Sequence, residues 1–181
     1  MKVRINGDEI KKLMLATSKS AYREQLQNIH IERVDDRVEF SATDGAVLVV
    51  LTRPLSKYDD DLPEGFSISF DVSNYKIKDK YIYELTDENK LLYFIGPDIK
   101  AVVVPYSGNF PNYHLITKGF ESFPCAKDFT MFTDKTLKVL FKIFNTFDNL
   151  TPKTQGQYNP HFWSKKEADD TWVVVIMPIR Q

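Results

Sequence analysis

Lysines at helical spacing are the residues of this chain best placed to do chemistry. Lys135, Lys138 and Lys142 recur at i, i+3 and i+7 and share one helix face. Lys12, Ala16 and Lys19 share a face of an earlier helix, and Arg23 continues it if that helix runs so far. Lys76, Lys78 and Lys80 crowd a third, shorter segment. Lysine carries charge without the planar fork of arginine, so such stripes suit a phosphate backbone that is held but not read. A solvated helix face has the same composition, and one stripe alone does not decide between the two. Three stripes in three similar segments bring the two readings level. The chain has neither an arginine cluster suited to base edges nor an aromatic stacking motif of the RNA-binding type.

Other chemistries find little support. The 181 residues carry a net charge of −1, with 43% apolar and 27% charged side chains, so any basic surface must be local. The single cysteine, Cys125, excludes an internal disulfide and a multi-cysteine zinc site, and fits a reducing cytoplasm. His30, His114 and His161 lack ligand spacing, so packing or surface roles are expected and no metal. Asp35-Asp36 and Asp59-Asp60-Asp61 read as turn and linker chemistry. There is no P-loop, dinucleotide glycine motif or nucleophile elbow, and 7 glycines are too few for phosphate cradles. The expectation is therefore no catalytic residues, no cofactor and no enzyme. Neither a signal peptide nor a membrane-spanning apolar run is visible.

The elements that must position these lysines form a repeat of plan. A short strand passes through a polar turn into a helix and then into alternating strands, with starts at residues 2, 66 and 129. The first pass predicts strand 2–5, helix 9–18 and strands 28–34, 37–43 and 46–53, with a tight turn at Asp35-Asp36. The second predicts strand 66–70, a short helix 72–79 and strands 81–86, 90–95 and 99–104. The third predicts strand 129–132, helix 135–145, a weak strand 151–156 and strands 157–164 and 171–179. Residues 54–65 and 117–124 read as connectors. The helices carry apolar stripes, Ile10, Leu13, Met14 and Thr17 in one and Leu137, Leu140, Phe141 and Phe144 in the other. Antiparallel strands interrupted by single helices give an α+β fold.

Three segments then carry a resemblance: Ser41-Ala42-Thr43-Asp44-Gly45, Gly108-Asn109-Phe110-Pro111-Asn112-Tyr113, and Val174-Val175-Ile176-Met177-Pro178-Ile179-Arg180. They resemble, in order, signature segments of the bacterial DNA polymerase III β sliding clamp, a processivity factor. Residues 10–17 resemble the first helix of that clamp's middle domain. The resemblance implies a sliding-clamp fold of βαβββ modules, with antiparallel sheets outside and helices on the inner face. It divides the chain into a complete clamp-like domain at 1–116, a linker at 117–128 and a half domain at 129–181. About half of a clamp is covered. Met1 and the family-like C-terminal segment argue against a cloned fragment.

What the resemblance implies for function is a cytoplasmic processivity factor that surrounds or tracks duplex DNA. Its lysine-bearing helices face the backbone, and polymerase or other replication proteins dock through short linear peptides. The implied peptide groove is Leu26, Thr43, Leu48, Pro111, Ile116, Val175 and Met177, with Gly45 and Pro178 shaping the backbone. Ala46-Val47 stands where the family usually has a basic or polar pair, and Ile179-Arg180-Gln181 replaces a frequently apolar end. A ring requires self-association; four copies match the module count of such rings, a trimer or a non-ring dimer being the alternatives. A non-encircling peptide-binding decoy or regulator is the rival reading.

Overall fold

The computed structural model describes residues 1–20, 22–55, 62–88, 91–126, 132–145, 150 and 152–178. Among the described residues, ten strands are arranged in two antiparallel sheets: β1 Lys2–Asn6, β2 Ile29–Val34, β3 Arg37–Thr43, β4 Val47–Pro54, β5 Ser67–Phe70, β6 Ile82–Glu88, β7 Leu91–Gly96, β8 Ile99–Val103, β9 His161–Glu167 and β10 Asp170–Ile176. Helix α1 spans Gly7–Met14, α2 His114–Thr117 and α3 Asp134–Phe144. One sheet has the order β1-β6-β7-β8, the other β5-β2-β3-β4-β10-β9.

The first two modules trade their opening strands. β1 pairs with β6, and β5 pairs with β2, so each module completes the other's sheet. The third module adds its hairpin to the first, through β10 on β4. Alternation explains the layers. Val38, Phe40 and Ala42 of β3 and Val47, Val49 and Leu51 of β4 face inward and are buried. They share one core with Ile10 and Leu13 of α1, Val139, Leu140, Ile143 and Phe144 of α3, and Tyr83 and Phe94 of the smaller sheet. Burial of this apolar surface is the main force holding the sheets together.

Local chemistry sets the helix ends. At the start of α1 the Glu9 carboxylate accepts from the Asn6 backbone N–H at 2.8 Å and from Asn6 Nδ2 at 3.1 Å. The helix stops at Met14, four residues short of the expected end. Ser18 N–H instead bonds Leu26 O at 2.7 Å, and Thr17 Oγ1 bonds Met14 O at 2.9 Å. α3 is capped by Thr133, whose Oγ1 accepts from Thr136 N–H at 3.2 Å, and ends at Asn145 in the left-handed region, φ 60°.

Three expectations need correction. Residues 72–79 form turns and no helix. Asp71 draws Ser73 N–H to 2.7 Å, Tyr75 N–H bonds back three residues to Val72 O, and Lys78 N–H is taken by the Tyr83 hydroxyl at 2.8 Å. Side-chain bonds of this kind compete with a helical ladder. In α3 the buried face is Thr136, Val139, Leu140, Ile143 and Phe144, and Phe141 is 53% exposed. The last hairpin begins at His161, not 157, and Lys153 makes only isolated bridges to Cys125 and Phe162. The expected strand 129–132 lies outside the described residues except Phe132, whose ring meets His161 and Trp163 edge-on at 5.2 and 5.4 Å.

Candidate nucleic-acid and peptide interfaces

Two helices and one turn segment bring the basic residues to neighbouring positions. A cleft of about 1050 Å³ lies between α1 and α3. Lys11, Lys19, Lys135, Lys138 and Lys142 line it, with Met14, Leu15 and Val139 as apolar floor. Asp44 at the β3–β4 turn also borders the cleft and pairs with Lys135 at 2.6 Å. Burial works against the charged form of Asp44, but Lys135 and the backbone N–H groups of Val47 and Ala46 outweigh it and hold its pKa below the ordinary value.

The structure does not gather all the expected cationic residues. Lys12 turns away from the cleft: it pairs with Asp8 at 3.0 Å and lies over the Trp172 ring at 5.2 Å. Lys11, which the sequence reading passed over, takes its place in the cleft and also pairs with Asp79 at 2.5 Å. Because α1 ends at Met14, Lys19 reaches the cleft from the following turn. Arg23 precedes a 3-10 turn, Glu24–Leu26, and its guanidinium lies close to Gly45. Lys76, Lys78 and Lys80 are on the 72–81 turns beside α1, where Lys78 pairs with Asp98.

The peptide-groove residues divide as well. Thr43, Leu48, Val175 and Phe162 are paired in register across β3, β4, β10 and β9, so they form one row on the outer face of the six-stranded sheet. Thr43 Oγ1 donates to Val47 O at 2.8 Å and accepts from Gly45 N–H at 3.1 Å, fixing the turn; Gly45 has φ 91°, a conformation glycine tolerates best. Leu48, Val50, Val173, Val175 and Phe162 are covered by a strap, residues 105–126, that lays Tyr113 and Phe120 over them. Phe120 stacks on Phe162 at 5.3 Å. Leu115 and Ile116 of α2 and Met177 just after β10 remain exposed, while Pro178 is buried. Met177 N–H bonds Ala46 O at 3.0 Å, which seats it beside the Gly45 turn. Leu26 is buried with its Cδ1 toward Gly45. Pro111 borders a different hollow, beside His30 and Ser69.

That second hollow was not foreseen. Glu32 of β2 and Glu39 of β3 stand directly opposite in register. The Tyr113 hydroxyl donates to Glu32 Oε1 at 2.5 Å and lies 2.8 Å from Glu39 Oε2. His114 Nε2 is 2.8 Å from Glu32 Oε1, and His30 Nε2 is 3.6 Å from the same oxygen. Burial opposes ionisation of Glu32, yet His30, Tyr113 and His114 together hold its pKa at about 2. Burial, reinforced by Glu39 and Glu32, keeps the Tyr113 phenol far above its ordinary pKa, so it stays a proton donor. The signal was present in the sequence: a two-residue turn at Asp35-Asp36 sets Glu32 against Glu39, and alternation puts His30 on the same face.

Comparison with known proteins follows this geometry. No family model matches the chain, and no curated protein matches it in sequence. Solved structures do match. The DNA polymerase sliding clamp from Bacillus subtilis superposes with a TM-score of 0.69 at 13% identity, over 100% of this chain and 64% of its own. A putative DNA polymerase III beta subunit from Eubacterium rectale gives 0.70 at 7% identity, over 100% and 66%. The A. fulgidus PCNA bound to the C-terminal region of FEN-1 gives 0.63 at 12% identity, over 99% of this chain and 98% of that one. The chain thus spans about two thirds of the length of the bacterial clamps, where the sequence suggested half. At these identities what is shared is the architecture, and this chain has the sliding-clamp fold, an α+β arrangement of antiparallel sheets with few helices.

Proposed function

We propose that this chain is a clamp-like processivity factor, holding duplex DNA by its backbone and partner proteins by short peptides. The observation that carries the reading is the cleft between α1 and α3, where five lysines converge on a fold shared with DNA polymerase clamps. Lysine on rigid helices supplies charge without base recognition, which suits a protein that must slide. The chemistry is topological, and no residue is assigned a catalytic role. The DNA-facing set is Lys11, Lys19, Lys135, Lys138 and Lys142, with Arg23, Lys76, Lys78 and Lys80 alongside. Lys12 has a structural role against Trp172. In this reading residues 1–116 are a clamp-like domain, 117–128 a linker and 129–181 a half domain, whose β10 pairs with β4.

For peptides, the docking surface is the rim made by Leu115, Ile116 and Met177, with Thr43 and Gly45 shaping its end. The row Leu48–Val175 is its floor, and the strap lies over that floor. Entry of an anchor side chain therefore requires the strap to shift, which lowers apparent affinity relative to an open pocket.

Fluorescence anisotropy on a labelled duplex across a salt series tests the DNA reading. The wild type should bind with a steep inverse salt dependence. Replacing Lys19, Lys138 and Lys142 together by Glu should lower the slope of log K against log salt by about 3. An unchanged slope sinks the DNA reading and leaves the non-encircling peptide-binding regulator. Light scattering over a concentration series tests ring assembly, for which a species near four chains is expected and a persistent monomer is fatal.

A further inference from the structure

We propose that Glu32, Glu39 and His114 form a binding site for one divalent transition-metal ion, of the zinc or manganese class, that fastens the strap to the six-stranded sheet. Each residue offers one ligand atom, and the three atoms lie within 4.8 Å of one another. Ligand atoms about 2.0–2.2 Å from a zinc ion stand about 3–4 Å apart, so shifts of no more than about 1 Å complete the site. Two carboxylates with an imidazole are a donor set that fits these ions, and it disfavours magnesium, which prefers oxygen and water.

Two independent features point to a cation. First, Glu32 and Glu39 are a like-charged pair placed directly opposite on adjacent strands, an arrangement that costs stability unless something positive lies between. In this structure the pair is bridged by the single Tyr113 proton. Second, His30 is buried, and its Nε2 pairs with Glu32 at 3.6 Å. Its other ring nitrogen is fixed by Ser69 Oγ at 2.8 Å, the outer partner that oriented metal-binding imidazoles have. His30 thus braces the Glu32 carboxylate from beside the three-residue group. Thr52 Oγ1 similarly holds Glu39 at 3.3 Å from the side away from the cluster's other members. Glu32 and Glu39 belong to the sheet and His114 to α2, so one ion links the two bodies. The segment so pinned carries Leu115 and Ile116.

The test is calorimetric titration of ZnCl2, and separately MnCl2 and MgCl2, into chelator-stripped protein, with thermal melting beside it. One zinc or manganese per chain is expected, with a raised melting temperature, and magnesium at least about ten-fold weaker. His114→Ala and the near-isosteric Glu39→Gln should each weaken binding by about 10- to 100-fold and abolish the melting shift. Unbound circular dichroism spectra matching wild type establish that both variants fold. Tyr113→Phe should keep the ion, because the phenol is a proton bridge and not a ligand. The exposed thiol of Cys125 is an alternative zinc ligand, so Cys125→Ser must leave binding unchanged. Absence of saturable binding overturns the proposal. So does binding that survives both His114→Ala and Glu39→Gln, or binding that disappears with Cys125.

Discussion

The six-stranded and the four-stranded sheet each turn one face to a common core, but their outward faces are finished differently. On the larger sheet, the outward row Leu48, Val50, Val173, Val175 is roofed by Tyr113 and Phe120 of the strap. On the smaller sheet, Ile82, Leu91 and Val102 remain exposed, with Lys2 and Arg4 pairing Glu84 and Lys100 lying over the Tyr93 ring. The same strand plan built both sheets. What differs is the connector: the chain leaving β8 crosses to the other sheet, where Tyr106 N–H bonds Ser69 O at 2.7 Å and begins the strap. Repetition therefore fixes the framework, and a single non-repeated segment decides which face has shaped chemistry.

That contrast can be broken by experiment. The largest effect should come from Phe120→Ala, which empties the roof over Phe162 and should cost about 3 kcal/mol in denaturant unfolding. A small loss, under about 1 kcal/mol, would mean that the strap is not part of the cooperative core. Next, Tyr113→Phe removes the proton shared by Glu32 and Glu39 and should cost about 1–2 kcal/mol at neutral pH. A smaller effect is expected at Asp44, which ties the six-stranded sheet to α3 through Lys135. Its folded pKa is depressed, so its contribution is complete above about pH 4 and is lost as pH falls through the folded value. Asp44→Asn should cost about 1 kcal/mol at pH 7 and flatten the decline in unfolding midpoint between about pH 5 and 2. Smallest of all, Val102→Ser on the unroofed face should change stability by less than about 0.5 kcal/mol. A loss there comparable with Phe120→Ala would show that the smaller sheet is covered in solution, by a second copy or a partner.

The strands were legible because their signals are redundant. β3 was read to the residue, since Arg37–Thr43 alternates cleanly and the turns on both sides are marked. α1 and α3 were legible as elements and less so in detail. Phe141 was assigned inward for its hydrophobicity, but the β-branched Val139 and Ile143 define the face that meets the core. Residues 72–79 failed because Asp71, Ser73 and the Tyr83 hydroxyl supply local bonds that helical periodicity ignores. The outer row Thr43–Leu48–Val175 came from resemblance to a family, and no spacing rule would have joined residues so distant. The Glu32–Glu39–His114 cluster stayed hidden because His114 arrives on the strap, whose path depends on long-range aromatic packing with Phe162 and His30.

The exchange of opening strands also constrains how the chain comes into being. β1 has no partner until β6 is made, and β4 keeps an open edge until β10 arrives, with Leu51 waiting for Trp172. Contacts of such long sequence separation slow folding, because loop closure precedes their reward. On a ribosome, the six-stranded sheet cannot be finished until β10, Asp170–Ile176, has emerged. Val47–Leu51, a run of five apolar residues on that waiting edge, is then exposed to other nascent chains. Expression yield should accordingly rise when synthesis is slowed or chaperones are supplied, and truncation before β10 should give aggregates rather than a smaller folded chain.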